Sequence, residues 1–335
     1  MKRTNHLLEK IADVDNLRLA FWKARKGKSH SWEVEAYRLN LDDNLLKLSD
    51  QIRSGLIEVG DYRFFKVFEP KERDICASAF KEQVLHHAMM NLCHDTFEKA
   101  QIFDSYASRK GKGTYAALER ANVYTNRKKW FLKLDVRKFF ASIQHDVLKQ
   151  QLAYLFKEWR VLEIFEKIID SYAATPDRGL PIGNLSSQYF ANHYLTGLDH
   201  FIKNELGIQC YVRYMDDMVL WHDEKEVLMA VNQAIESFIV TGLRCELKPI
   251  LLNRSQKGLP FLGYVLYPYR ISLDHQSRHR FIQKQRRVET NYNSGIWDES
   301  ACQRRILSLL AFTQHANTLA WRKKIFSSQA LGPAS

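Results

Sequence analysis

Two adjacent carboxylates, Asp216 and Asp217, stand between two short apolar runs, 210–214 and 218–221. Short β-prone runs flanking a tight polar turn read as a β-hairpin with acids at its tip. A third acid, Asp135, closes another apolar run, 130–135. A lone Asp is ordinarily a helix cap or a solvated surface charge. Carboxylates where buried strands end are expensive unless a cation neutralises them, and two neighbouring like charges are worse. The trio therefore reads as an oxygen-donor site suited to Mg²⁺, which takes carboxylates together with substrate phosphates. Two such ions about 3.5–4 Å apart activate an attacking hydroxyl and stabilise a leaving phosphate.

The chain has 335 residues, 45% hydrophobic and 26% charged, which is ordinary globular composition with room for about two domains or one large core. Fifty Lys and Arg against thirty-eight Asp and Glu leave +12, an excess that favours polyanionic partners. No run approaches the ~20 apolar residues of a spanning helix, so no membrane partner is expected. The N-terminal residues form no apolar signal core. Five scattered cysteines form no C-x-x-C pair, which fits a reducing, cytoplasmic setting. Apolar spacing predicts helices over 7–22, 32–55, 80–97, 145–156, 161–173, from 187 onward, 225–241 and through the last sixty residues. Strands are predicted over 62–68, 130–135, 243–252 and 261–267, besides the hairpin.

At this point the residues resemble a family. Tyr214-Met215-Asp216-Asp217, inside Tyr-Val-Arg-Tyr-Met-Asp-Asp-Met-Val-Leu, looks like the catalytic hairpin of reverse transcriptases. Leu134-Asp135-Val136-Arg137-Lys138-Phe139-Phe140 resembles the first catalytic-strand motif, and Phe261-Leu262-Gly263-Tyr264 is similar to the primer-grip signature. The order and spacing agree with that family over most of the chain. The resemblance implies that Asp135 and Asp216 are metal ligands, with Asp217 supporting. It implies that Phe140 blocks a ribose 2′-hydroxyl; core packing is its alternative. Lys66, Lys71 and Arg73 fall in the segment that clasps the incoming triphosphate. Arg73 is the strongest of them, since guanidinium binds phosphate in a bidentate way. Lys248 matches the Lys proposed as general acid for pyrophosphate; a solvated lysine is the alternative.

One motif narrows the resemblance. Gly179-Leu180-Pro181-Ile182-Gly183-Asn184-Leu185-Ser186-Ser187-Gln188 occupies the template- and nucleotide-contacting loop. Most reverse transcriptases have Gln before this Gly and Ser-Pro at the end; here stand Ile182 and Ser187-Gln188. That looks like the reverse transcriptases of diversity-generating retroelements. Ile182 offers shape and apolar contact where Gln would offer a directed hydrogen bond. Discrimination is strongest where a mismatch strands polar groups, so low fidelity is expected, with Ile182 and Arg73 contributing. The resembled family copies an RNA repeat into cDNA with errors at template adenines.

The fold implied is α+β, a right-hand polymerase. Fingers with an N-terminal helical extension cover 1–125, a palm with an antiparallel sheet backed by helices covers 126–268, and a short helical thumb covers 269–335. No RNase H or endonuclease domain is expected beyond the thumb. The implied reaction is RNA-directed DNA synthesis with two Mg²⁺ ions, for which Mn²⁺ can substitute. The partners are an RNA template, a DNA or RNA primer, dNTPs and a small basic accessory protein. Arg109, Lys110 and Lys112 are read as template-backbone contacts. Arg278, Arg280, Lys284, Arg286 and Arg287 are read as duplex-backbone contacts of the thumb, giving salt-dependent affinity without sequence choice. A related prokaryotic defence reverse transcriptase and a catalytically idle RNA-binding scaffold stand as alternatives. Gly27-Lys28-Ser29 lacks the first Gly and the preceding strand of a P-loop. His86, His87, Cys93 and His94 lie in a helical context without a second ligand pair, so packing is favoured over zinc.

Overall fold

The computed structural model describes residues 3–28, 30–68 and 72–329. The chain opens with four helices, α1 (Leu8–Ala12), α2 (Val14–Arg25), α3 (Trp32–Leu39) and α4 (Leu41–Ser54). Two continuous helices were expected there, and each is broken by a polar residue. Asp13 is extended, and its carboxylate accepts from the backbone N–H groups of Asp15 and Asn16, capping α2. Asn40 leaves helical geometry between α3 and α4, and Gly55 ends α4 in the left-handed conformation that favours glycine.

Strands β1 (Tyr62–Val67) and β2 (Arg73–Ser78) pair as an antiparallel ribbon, with Val67 opposite Arg73. Helices α5 (Phe80–Ala100) and α6 (Thr114–Arg127) follow. The sequence reading had neither β2 nor α6. The central part then runs β3 (Trp130–Asp135), α7 (Phe139–Ser142), α8 (His145–Leu155), α9 (Trp159–Asp170), α10 (Leu185–Tyr194) and α11 (Thr196–His200), which continues as a π turn to Glu205. It ends with β4 (Tyr211–Tyr214), β5 (Asp217–His222), α12 (Lys225–Ser237) and β6 (Leu251–Arg254). The strand expected over 243–252 is therefore confined to its last residues. Before it only Leu247 bridges, to Val136.

Strands β4, β5, β3 and β6 lie in that order in one antiparallel sheet. Side chains alternate across it. Leu132, Leu134, Met218 and Leu220 join one core with the N-terminal helices, α8, α9 and α10. Phe131, Val212, Val219 and Trp221 join a second core with α6 and the C-terminal sheet. Trp221 and Phe131 are fully buried, and burying each such side chain stabilises by about 1.5–3 kcal/mol. Lys133 and Asp135 follow Phe131 at two-residue steps, so they share the face that looks toward the second core.

That second face is covered by β7 (Leu259–Phe261), β8 (Tyr264–Tyr267) and β9 (Arg270–Leu273), an antiparallel sheet of its own. A single strand over 261–267 was expected; Leu262 and Gly263 turn the chain instead. Helices α13 (His275–Asn293), α14 (Glu299–Thr313) and α15 (Leu319–Gln329) complete the chain. The expected palm–thumb boundary at 268 passes through the β8–β9 turn. Strands β8 and β9 are hydrogen-bonded partners across that turn.

Candidate active site

The hairpin and β3 bring the acids together through register alone. Asp135, the last residue of β3, lies opposite Asp217, the first of β5. Tyr214 pairs with Asp217 across the other side, leaving Met215 and Asp216 as a two-residue turn. Met215 has φ +56, a left-handed conformation that costs a non-glycine residue roughly 1–2 kcal/mol. The Arg213 guanidinium holds this turn, donating to the Met215 carbonyl at 3.1 Å. Arg213 is in turn gripped by Asp199 through two bonds of 2.7 and 2.6 Å, and both side chains are 0% exposed. Asn192 Oδ1 and the Tyr211 hydroxyl complete the network.

Two lysines neutralise the carboxylates. Lys133 Nζ stands 3.1 Å from Asp217 Oδ2 and donates to the Pro260 carbonyl at 2.9 Å, tying the sheet to β7. Lys248 Nζ lies 2.7 Å from Asp135 Oδ1, while its backbone N–H donates to the Asp135 carbonyl. The Lys248 approach is an ion pair by distance but lies off the hydrogen-bonding direction, so Asp135 Oδ1 is buried without a hydrogen-bond donor; Asp217 Oδ1 is likewise orphaned. Burial, followed by the neighbouring Asp135 charge, pushes the Asp216 carboxyl up to about 6. Burial also raises Asp217 to about 6, against the opposing pull of Lys133. Half-buried, repelling acids with unsatisfied oxygens fit a divalent cation, the ligand that would relieve all three penalties. Among the described residues no three His, Cys, Asp or Glu side chains stand in ready-made ligand geometry, consistent with the two lysines resting on the acids.

Asp135 and Asp217 open into a cleft of about 790 Å³ between the central sheet and the C-terminal elements. Asp135, Asp217 and Lys133 line its floor, Arg73 one side, and Phe261, Leu262, Gly263, Arg280 and Lys284 the other. Leu262 and Gly263 have φ +51 and +87, the two positive values of a type I′ hairpin turn. A Cβ on Gly263 would meet Ser277 Oγ at 2.9 Å, so glycine is what lets α13 lie against this turn. On α13, Ser277, Arg280, Phe281 and Lys284 share the cleft-facing side, at three- and four-residue steps.

The loop with Ile182 lies between α7 and the β1–β2 ribbon. Leu180 N–H donates to the Phe140 carbonyl, and Cys76 N–H of β2 donates to the Ile182 carbonyl, both at 2.8 Å. Gly183, at φ +133, passes so close to β2 that a Cβ would sit 3.0 Å from Ile75 Cγ2. Phe140 and Ile182 are both half-buried.

Several expected contacts lie elsewhere. Lys71 lies outside the described residues. Lys66 is exposed and paired with Glu72 at 2.6 Å, away from the cleft. Gln188 is carried a helical turn beyond Gly183 and accepts from Ser108 Oγ at 3.0 Å. Arg109 is not a template contact: its side chain is 7% exposed and is held by Glu98 and by the carbonyls of Ile102 and Ser105. Lys112 donates to the Phe103 carbonyl and caps that ring at 3.3 Å, so it too serves the loop's own structure. Lys110 is exposed. Arg278, Arg286 and Arg287 are exposed on sides of α13 that do not line the cleft. Lys133, Arg213 and Asp199 were not singled out from sequence. A lone lysine two residues before Asp135 was the available signal for the first; none pairs Arg213 with Asp199.

The chain is 23% identical over 217 residues to the COX1/OXI3 intron 1 protein of Saccharomyces cerevisiae, covering 61% of this chain and 26% of that one. It is 22% identical over 333 residues to the COX1/OXI3 intron 2 protein of the same yeast, covering 77% and 38%. The match thus spans well under half the length of either relative. Apo telomerase from Candida tropicalis superposes with a TM-score of 0.52 at 11% identity, over 76% of this chain and 57% of that chain. That likeness is one of fold, and the fold is α+β, the right-hand polymerase. No helix among the described residues is long and apolar enough to cross a membrane. The family profile for reverse transcriptase (RNA-dependent DNA polymerase) matches residues 71–266, more than half of the chain and the span that carries the three acids and their loop; the chain belongs to that family.

Proposed function

We propose that this protein is an RNA-directed DNA polymerase that copies a structured RNA into cDNA with low fidelity at template adenines, as in diversity generation. The observation that carries the polymerase reading is the single cleft joining Arg73, Asp135, Asp217, the Leu262–Gly263 turn and the α13 cations. Triphosphate, primer end and duplex backbone each have a chemically matched wall there. Asp135, Asp216 and Asp217 would hold Mg²⁺, or Mn²⁺ in its place. When bound, the ions supply charge neutralisation at the attacking oxygen and the leaving pyrophosphate. Arg73 binds the triphosphate, Phe140 screens the sugar, and Lys248 stands beside Asp135 where a proton can reach the leaving group.

Low fidelity is supported by Ile182. Its carbonyl is committed to Cys76, and its half-buried side chain offers the nascent pair only apolar contact. A structured RNA and a small basic accessory protein are the partners of this reading. The test is sequencing of cDNA copied from a defined RNA by wild type and Ile182→Gln. Frequent substitutions at template adenines are expected in wild type, reduced severalfold in the variant. Error rates in wild type as low at adenine as at the other bases would reject the mutagenic role while leaving polymerisation untouched.

A further inference from the structure

The end of the central sheet opposite the acids has chemistry of its own. Trp130 begins β3 and Asp135 ends it, about 17 Å apart for a strand of this length. Around Trp130 is a groove of about 450 Å³ whose lining includes Arg127, Lys128, Lys129 and Arg254 and not a single carboxylate. Lys128 is satisfied by Asp223 just outside, at 2.7 Å. The side chains of Arg127, Lys129 and Arg254 are exposed and make no ion pair among the described residues, while the Lys129 backbone N–H donates to Asp223 Oδ1 at 3.3 Å. The C-terminus of α6 attracts cations. That accounts for Arg127 but not for Arg254, which is carried by β6.

The groove is also built rather than incidental. Ser255, buried, donates its N–H to the Lys129 carbonyl and its hydroxyl to the Lys128 carbonyl, at 2.8 and 2.6 Å. Tyr269 N–H donates to Asn126 Oδ1 at 2.8 Å. Arg254 lies 5.2 Å over the Trp130 ring, which fixes its direction. Tyr269 is 84% exposed on the groove's rim with its ring unpacked. Unpaired cations beside an open aromatic ring are the combination that binds single-stranded nucleic acid, phosphates on the cations and a base on the ring.

We infer that this groove is a second RNA site, which holds a single-stranded segment of the RNA outside the catalytic cleft. The inference rests on the reading that the substrate is RNA. Arg127, Lys129 and Arg254 take phosphates, and Tyr269 takes a base. The site gives the enzyme a hold on RNA that a short template–primer duplex does not reach.

The test compares wild type with the triple variant Arg127→Glu, Lys129→Glu, Arg254→Glu and with Tyr269→Ala. Filter retention measures affinity, across a salt series, for a long single-stranded transcript and for a short template–primer duplex; extension of the short duplex is read in parallel. The triple variant should lose at least about tenfold in transcript affinity and lower the slope of log affinity against log salt by about 2, the loss of three phosphate contacts. Tyr269→Ala should lose about tenfold with the slope unchanged. Binding and extension of the short duplex should stay at wild-type levels, which also shows that the variants fold. Unchanged transcript affinity, or an equal loss on the short duplex, overturns the inference. Retention needs no catalysis, so a failure of extension in wild type would count against the polymerase reading and not against the groove.

Discussion

Asp199 and Arg213 make the clearest residue-level case. Neither touches a substrate, yet Arg213 holds the carbonyl of Met215, the residue whose left-handed backbone aims Asp216. Removing one partner of a fully buried ion pair strands the other, which typically costs about 3–5 kcal/mol. Asp199→Ala should therefore lower the unfolding free energy by about that amount in urea, with primer extension falling further than the fraction unfolded explains. A loss under about 1 kcal/mol would mean that Arg213 finds water and the network is not what fixes the turn. The three acids were legible because each sits where an apolar strand stops. Arg213 was not, because an arginine in a strand ordinarily points to solvent and its partner lies fourteen positions back. Arg109 misled for the converse reason: a basic Gly-rich loop suggests nucleic acid, while its guanidinium is needed by Glu98 and two carbonyls.

Among elements, the β7–β8 hairpin connects the central sheet to the C-terminal helices. Gly263 combines φ +87 with a close approach to Ser277 on α13. Gly263→Ala adds backbone strain of about 1–3 kcal/mol and a steric clash. The expected outcome is a lower melting temperature together with shorter extension products, because the cleft wall carrying Arg280 and Lys284 is displaced. Normal product lengths at a lowered melting temperature would separate the turn from primer handling. Element reading from sequence succeeded where periodicity was strong, as in β3 and α5. It failed at local polar competition, where Asp13 and Asn40 break apolar runs that are otherwise continuous. It also merged β7 and β8, since Phe261 to Tyr267 is apolar throughout and only Gly263 marks the turn. Strand β2 gave little pattern to read, because its first two residues are exposed charges.

At the scale of the whole molecule, the carboxylates that make the site oppose its stability. The Asp216 carboxyl is raised from 3.8 to about 6, so the folded state keeps its proton over a range where the unfolded chain has lost it. The resulting stabilisation is full below about 3.8 and disappears as pH rises through 6. At pH 8 the ionised form therefore weakens the fold. Buried His86 and His193, lowered from 6.5 to about 4 by burial, act with the opposite sign. The unfolded chain takes up their protons first, so stability is lost as pH falls from 6.5 to 4. In EDTA, Asp216→Asn should raise the urea midpoint at pH 8, lose that gain near pH 4, and slope more steeply into acid than wild type. A lowered midpoint at pH 8 would show that Asp216 stabilises the fold and is not held there at its expense. The +12 charge pointed to polyanions, but only the structure shows that part of it gathers at two ends of one sheet. The measurement that bears most directly on the central claim is primer extension on an RNA template with dNTPs and Mg²⁺, wild type against Asp216→Asn. Wild type should extend, and the variant should fall by at least ~10²-fold, the scale for removing one electrostatic element of a transition state, while remaining at least as stable as wild type. Equal extension by both, or no extension by folded wild type with either Mg²⁺ or Mn²⁺, would contradict the account.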